Sequence, residues 1–174
     1  MAEHVLLDLD GTLADPRDGF VASISHALEN LGCEVPPETE IASHIGPPLE
    51  RTMATLLGNG REEQIPEAIA LYRARYADAG IYENSIYEGI PSALEEMRAS
   101  GFSLYVATSK PHVFAERILM HFGLRNLFLA VYGSELDGTR SDKGELIAFL
   151  LSREGLNSQE TLMVGDMPAA LAQK

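Results

Sequence analysis

Cysteine is nearly absent from this chain of 174 residues: Cys33 stands alone, so no internal disulfide can form and a reducing compartment suits the protein. Its simplest role is packing at a helix end. Lysine is almost as scarce, with only Lys110, Lys143 and Lys174 in a chain of formal net charge −13. So acidic a chain repels nucleic acid and anionic membranes, and neither is an expected partner. No apolar stretch approaches the length of a membrane span, and the first residues lack the basic-then-apolar pattern of a secretory signal. The expected location is the cytoplasm. Two catalytic signatures are missing too: there is no Gly-x-Ser-x-Gly of a serine hydrolase and no Gly-x-x-x-x-Gly-Lys loop for nucleotide phosphates. The histidines are scattered, none at metal-ligand spacing, and His112 and His121 read as surface or packing residues. A small anionic substrate would need a local positive site in such a chain, and a metal ion is one way to supply it.

Apolar residues, by contrast, make up 45% of the sequence, enough to fill the core of one average domain or a smaller core carrying an insertion. Four short segments read as buried strands, residues 4–7, 102–108, 128–132 and 161–164. Helical stripes separate the later ones: Phe114, Ile118 and Phe122, then Leu146, Ile147, Leu150 and Leu151. Strands alternating with helices imply an α/β fold, a Rossmann-like parallel sheet covered on both faces. The first strand is the exception, because about ninety residues separate it from the second. That gap is helical as well. Phe20, Ile24, Ala27, Leu28 and Leu31 form one face, Leu49, Met53, Leu56 and Leu57 another, and Ile65, Ala68, Ile69, Tyr72 and Tyr76 a third. Glycine and proline clusters punctuate them. We therefore expect an α-helical domain over residues 15–87 inserted into a core built from 1–14 and 88–174, whose own crossover helix begins near residue 92.

Asp8-Leu9-Asp10-Gly11 follows directly on the first apolar run. Two carboxylates two residues apart at a strand's end point the same way, because side chains alternate across a strand. Gly11 lets the chain turn and lets backbone approach a ligand closely. One aspartate could attack a substrate while the other moves protons, and both could help hold a cation. An ordinary strand-to-loop turn, where Asp and Gly are common, is the plainer reading of these residues taken alone. The other strand ends tip the balance. In a doubly wound sheet, ligands bind beyond the carboxyl ends of the strands, near the point where strand order reverses. The second strand ends at Thr108-Ser109-Lys110 and the fourth at Gly165-Asp166, while Lys143 opens the helix after the third.

Taken in order, Asp8-Leu9-Asp10-Gly11-Thr12, Val106-Ala107-Thr108-Ser109-Lys110-Pro111, Gly133-Ser134-Glu135-Leu136-Asp137-Gly138 with Ser141-Asp142-Lys143, and Met163-Val164-Gly165-Asp166 resemble the haloacid dehalogenase-like superfamily of phosphotransferases. Within it the chain is similar to phosphoglycolate-phosphatase-type and nucleotidase-like hydrolases with an α-helical cap. The resemblance runs from residue 4 to about residue 166. It implies hydrolysis of a small phosphorylated metabolite. Asp8 would be the nucleophile that forms an aspartyl-phosphate, and Asp10 the general acid and then the base. Thr108 and Lys143 would hold the phosphoryl oxygens and offset their growing charge. Gly11 and Ser109 would bind substrate beside them. Mg²⁺ would be held by Asp8, the backbone carbonyl of Asp10, and Asp166. The cap would close over the site and choose the substrate. Arg51, in a Gly46-Pro47-Pro48-Leu49-Glu50-Arg51 element like the family's, could reach an anionic group on it, and Arg17 is a weaker candidate.

Some relatives are excluded. The helical insertion contains no lysine, which argues against a phosphonate hydrolase or a sugar-phosphate mutase that uses a cap lysine. Asp10 argues against a dehalogenase, which needs no acid there. There is also a departure: the second carboxylate that relatives carry about four residues beyond the first is replaced here by Ala170, which should weaken Mg²⁺ binding. The chain ends at Lys174, about forty residues short of a typical relative by the same resemblance, so the fourth strand is expected to be a bare edge. A truncated product, a homodimer that covers the edge, or a degenerate relative acting as a binding module each accounts for this.

Overall fold

The computed structural model describes residues 3–166. The expectation resting on Ala170 therefore lies outside the described residues. The chain separates into two compact units, one comprising Met1–Asp15 with Ser85–Lys174, of which 3–15 and 85–166 are described, and the other Pro16–Asn84.

The first unit begins with β1 (His4–Leu7), whose Val5, Leu6 and Leu7 are all at most 5% exposed. A tight turn over 8–13 leads into the two-residue β2 (Ala14–Asp15). The backbone N–H groups of Leu13 and Ala14 both donate to the Leu9 carbonyl there, and Leu9 and Leu13 are fully buried. The chain then leaves for the helical unit.

That unit contains α1 (Arg17–Asn30), α2 (Glu38–Ala42), α3 (Leu49–Leu57) and α4 (Ile65–Asp78). Its interior comes from the predicted stripes: Ile24, Ala27 and Leu28 of α1, Met53 and Leu57 of α3, and Ala68, Tyr72 and Tyr76 of α4 are buried. Arg75 makes a two-pronged contact with Glu83 at 2.7 and 2.9 Å and donates to Ser23 Oγ at 3.1 Å, tying α4 to α1 through a buried hydroxyl.

The chain returns through β3 (Ser85–Ile86), which pairs antiparallel with β2, Ala14 facing Ile86. α5 (Ile90–Ala99) buries Leu94. Then come β4 (Ser103–Pro111), α6 (His112–His121), β5 (Ala130–Ser134), α7 (Lys143–Glu154) and β6 (Thr161–Val164). The main sheet is fully parallel in the order β5-β4-β1-β6. Successive strands step outward from β1 through β4 to β5, then cross to the opposite side of β1. The winding thus reverses between β1 and β6, which makes the carboxyl ends of those two strands the crevice of the sheet. Leu6, Tyr105 and Ala107 of the sheet pack with Ile147 and Leu150 of α7 into one buried cluster. Among the described residues β6 ends the sheet, with Leu162 52% and Val164 37% exposed. No helix among them is long and apolar enough to cross a membrane.

Two strand boundaries differ from those read in the sequence. β4 runs on from Thr108 to Pro111, its register with β5 shifting between Ala107 and Pro111. β5 starts at Ala130 instead of Phe128 and ends two residues later than expected, at Ser134. Phe128 is 4% exposed but follows a 3₁₀ turn, so its burial comes from packing and not from the ladder. Gly133 extends β5 because it lies against the end of β4, where a Cβ would stand 2.5 Å from the Lys110 carbonyl oxygen. The crossover helix starts two residues before the expected Ser92, on Ile90 and Pro91; proline suits a first turn, where its missing N–H has no intrahelical partner.

Candidate active site

Asp8 comes one residue after β1, and its backbone N–H continues the ladder by donating to the Val164 carbonyl of β6 at 2.9 Å. Its side chain is 13% exposed. Oδ1 accepts from the N–H of Leu9 at 2.8 Å, and Oδ2 lies 2.6 Å from Lys143 Nζ. Lys143 also donates to the Ala107 carbonyl on β4 at 2.8 Å. The sequence dictates where this lysine sits. Asp142 caps α7 by accepting from the N–H of Glu145 at 2.9 Å, which makes Lys143 the first helical residue. A cation there opposes the helix dipole. The Asp8 carboxylate offsets that cost, so the pairing has an electrostatic reason to form.

Asp10, two residues on, is held by a second lysine. Lys110 Nζ lies 2.8 Å from Asp10 Oδ1, and the lysine side chain is only 7% exposed. Burial pushes the Asp10 carboxyl above the usual carboxylate range, Lys110 pulls against that, and the Asp8 charge pushes the same way as burial. Sequence reasoning missed Lys110 as a site residue and saw it only as part of a polar strand end. The overlooked signal was scarcity: the described residues contain two lysines, and each meets one of the two aspartates of the Asp-Leu-Asp-Gly segment.

The other predicted residues fall into three groups. Gly11 and Asp166 join Asp8 and Asp10. Gly11 has φ +77°, and a Cβ there would collide with the Asp166 carboxylate, while a Cβ on Gly165 would stand 3.4 Å from Asp8 Cβ. Thr108 is 1% exposed, and its Oγ1 accepts from the Lys110 N–H at 3.2 Å, on the same strand end as exposed Ser109, whose carbonyl accepts from Ser134 Oγ at 2.9 Å. Arg51 is exposed on α3 and Arg17 opens α1, both in the helical unit.

Gly11→Ala tests the close approach of the two strand ends. The left-handed backbone alone costs a non-glycine residue about 1–2 kcal/mol, and Asp166, the movable partner in the collision, must swing away. We expect a lower melting temperature together with weakened cation binding. An alanine variant as stable as the parent, with unaltered cation affinity, would show that the approach is not needed.

The chemistry of this cluster suits a hard cation, since every donor is an oxygen. Among the described residues, no three His, Cys, Asp or Glu side chains stand close enough to hold a metal by themselves. The two carboxylates of Asp8 and Asp166 with a backbone carbonyl fit a cation that retains most of its own water, as Mg²⁺ does.

The profile of the haloacid dehalogenase-like hydrolases matches residues 5–172. The chain is 47% identical over 163 residues to a 5′-nucleotidase from Pseudomonas aeruginosa, across 94% of this chain and 73% of that one. It is 41% identical over 163 residues to the tyrosine-protein kinase PtkA of Mycobacterium tuberculosis, across 93% of this chain and 55% of the kinase. The crystal structure of a predicted phosphatase from Clostridium acetobutylicum matches with a TM-score of 0.87 at 37% identity, covering 95% of this chain and 76% of that one. The chain belongs to the haloacid dehalogenase-like hydrolase family. Within the family it stands with the phosphatases, which are phosphoric monoester hydrolases.

Proposed function

We propose that this phosphatase hydrolyses small phosphomonoesters in a Mg²⁺-dependent reaction through an aspartyl-phosphate on Asp8. The observation that carries the reading is the pairing of Asp8 Oδ2 with Lys143 Nζ at 2.6 Å, beside a second, partly buried aspartate that is paired with its own lysine. A carboxylate attacking a phosphate dianion meets repulsion between like charges, and a fixed ammonium at the point of attack lowers it. Asp8 forms the new O–P bond while the ester P–O bond breaks. Asp10 gives a proton to the departing oxygen, then takes one from the water that hydrolyses the aspartyl-phosphate. Burial shifts its pKa upward, toward the proton-carrying form that the first step needs, against the opposing pull of Lys110. The Thr108 hydroxyl and Lys143 bind phosphoryl oxygens. Asp8, the Asp10 carbonyl and Asp166 would hold Mg²⁺, which supplies charge neutralisation on the transferred group.

Nucleoside 5′-monophosphates come first among substrates to test, because the relative at 47% identity is a 5′-nucleotidase. Phosphoglycolate comes next, through more distant relatives. The test is release of inorganic phosphate from both, with Mg²⁺ titrated against EDTA, for the parent and for Asp166→Ala. We expect no turnover in EDTA and at least a tenfold higher half-saturating Mg²⁺ concentration in Asp166→Ala, the usual scale for altering a metal's surroundings. Turnover indifferent to Mg²⁺ sinks the metal assignment. A folded parent with no turnover at any Mg²⁺ concentration sinks the enzymatic reading.

A further inference from the structure

We propose that Lys110 is a positioning residue that fixes the orientation of the Asp10 carboxyl for proton transfer. The inference deepens the proposed function and rests on Asp10 acting there as the acid. Lys110 reaches Asp10 through a backbone arrangement that the sequence builds in several places at once. The strand register shifts between Ala107 and Pro111. The Thr108 hydroxyl accepts from the Lys110 N–H, and the Ser134 hydroxyl donates to the Ser109 carbonyl, so hydrogen bonds brace the residues just before the lysine. Gly133, lacking a side chain, lets β5 lie against the Lys110 carbonyl. At the far end of the side chain, the ammonium stands 2.8 Å from Asp10 Oδ1 and is only 7% exposed.

A buried ammonium retains its charge only with a partner, and a carboxyl held at one oxygen loses rotational freedom. With the Lys110 ammonium beside Oδ1, the carboxyl is held in one orientation and Oδ2 is the oxygen not paired with the lysine. Lys110 thereby selects which atom of Asp10 faces the leaving group. Lys143 already serves Asp8 and the Ala107 carbonyl, so the two lysines divide the work, one for the nucleophile and one for the acid.

Leaving-group dependence separates this role from a merely structural one. For p-nitrophenyl phosphate the departing phenolate needs little protonation, whereas an alkyl phosphate needs a proton as the bond breaks. We expect Asp10→Asn to lower kcat/KM on the order of 10²-fold or more for the alkyl ester and about threefold or less for the nitrophenyl ester. Lys110→Met should reproduce that asymmetry in weaker form, on the order of tenfold against about twofold. Lys110→Arg, which keeps the ion pair, should restore most of the loss. In the double variant, Lys110→Met should add nothing to Asp10→Asn. Thermal melts identify any variant that does not fold, and Lys110→Gln then replaces Lys110→Met in the comparison. Equal losses on both esters, or no loss, in a folded Lys110 variant overturn the proposal while leaving the proposed function standing. If Asp10→Asn itself treats both esters alike, Asp10 is not the acid, and the inference falls with that reading.

Discussion

Asp8→Asn is expected to leave a folded protein with turnover reduced on the order of 10⁴-fold or more, the scale seen when a catalytic nucleophile is removed. The amide keeps the shape of the carboxylate and an oxygen able to accept from the Leu9 N–H. It loses the negative charge facing Lys143, which still has the Ala107 carbonyl to donate to. Stability should therefore change little while chemistry stops, because a neutral amide oxygen is a poor nucleophile toward phosphorus. Circular dichroism and a melting curve, set beside steady-state hydrolysis of p-nitrophenyl phosphate, give the two readouts. A variant that retains a tenth of parental turnover removes Asp8 from the nucleophile's role. A variant that unfolds shows instead that the Asp8–Lys143 pair holds the strand end together.

Lys143→Met ranks second, with an expected fall in kcat on the order of 10²–10³-fold, as for loss of one preorganised group facing the developing charge. Its effect on stability should have the opposite character to that of Asp8→Asn. Methionine preserves much of the side chain's apolar length but leaves the Asp8 carboxylate, 13% exposed, without its cation. The cost is about 1–3 kcal/mol for an unsatisfied, largely buried group. Combining the two substitutions should restore most of that stability and none of the activity, since the double variant contains neither buried charge. Additive stability losses would show that the pair has no coupling and that the close contact contributes nothing to the fold.

The parallel core was legible because burial and periodicity coincide there. Leu6 and Leu7 sit in a short apolar run that ends at a polar pair, and the stripe Leu146, Ile147 and Leu150 covers the sheet from α7. Lys143 was read as opening the helix after the third strand, and the structure gives the reason: Asp142 caps α7 by accepting from the Glu145 N–H. β2 and β3 were illegible, since two-residue strands carry no alternation and form only because Ala14 and Ile86 are brought together by the chain's departure and return. β5 was read two residues early because Phe128 has strand-like chemistry but earns its burial by packing. Lys110 was hidden for another reason. Its distance from Asp10 in sequence is a hundred residues, and only the parallel register of β1 with β4 brings the two strand ends together.

Each ammonium in this site carries its own tethered counter-ion. A bare pair of lysines beside a crevice attracts chloride, sulfate and any stray carboxylate from solution. Here a foreign anion finds both positions taken by Asp8 and Asp10, in a chain whose net charge of −13 already discourages its approach. Entry is then an exchange and not a capture. At Lys143, which the proposed function gives to the phosphoryl oxygens, a visitor must outcompete Asp8, which a dianionic phosphate can do far better than a monovalent ion. On the proposed function, the resting Asp8 would be a weak internal competitor at Lys143, screening out the commonest anions before any part of the substrate beyond its phosphate is recognised.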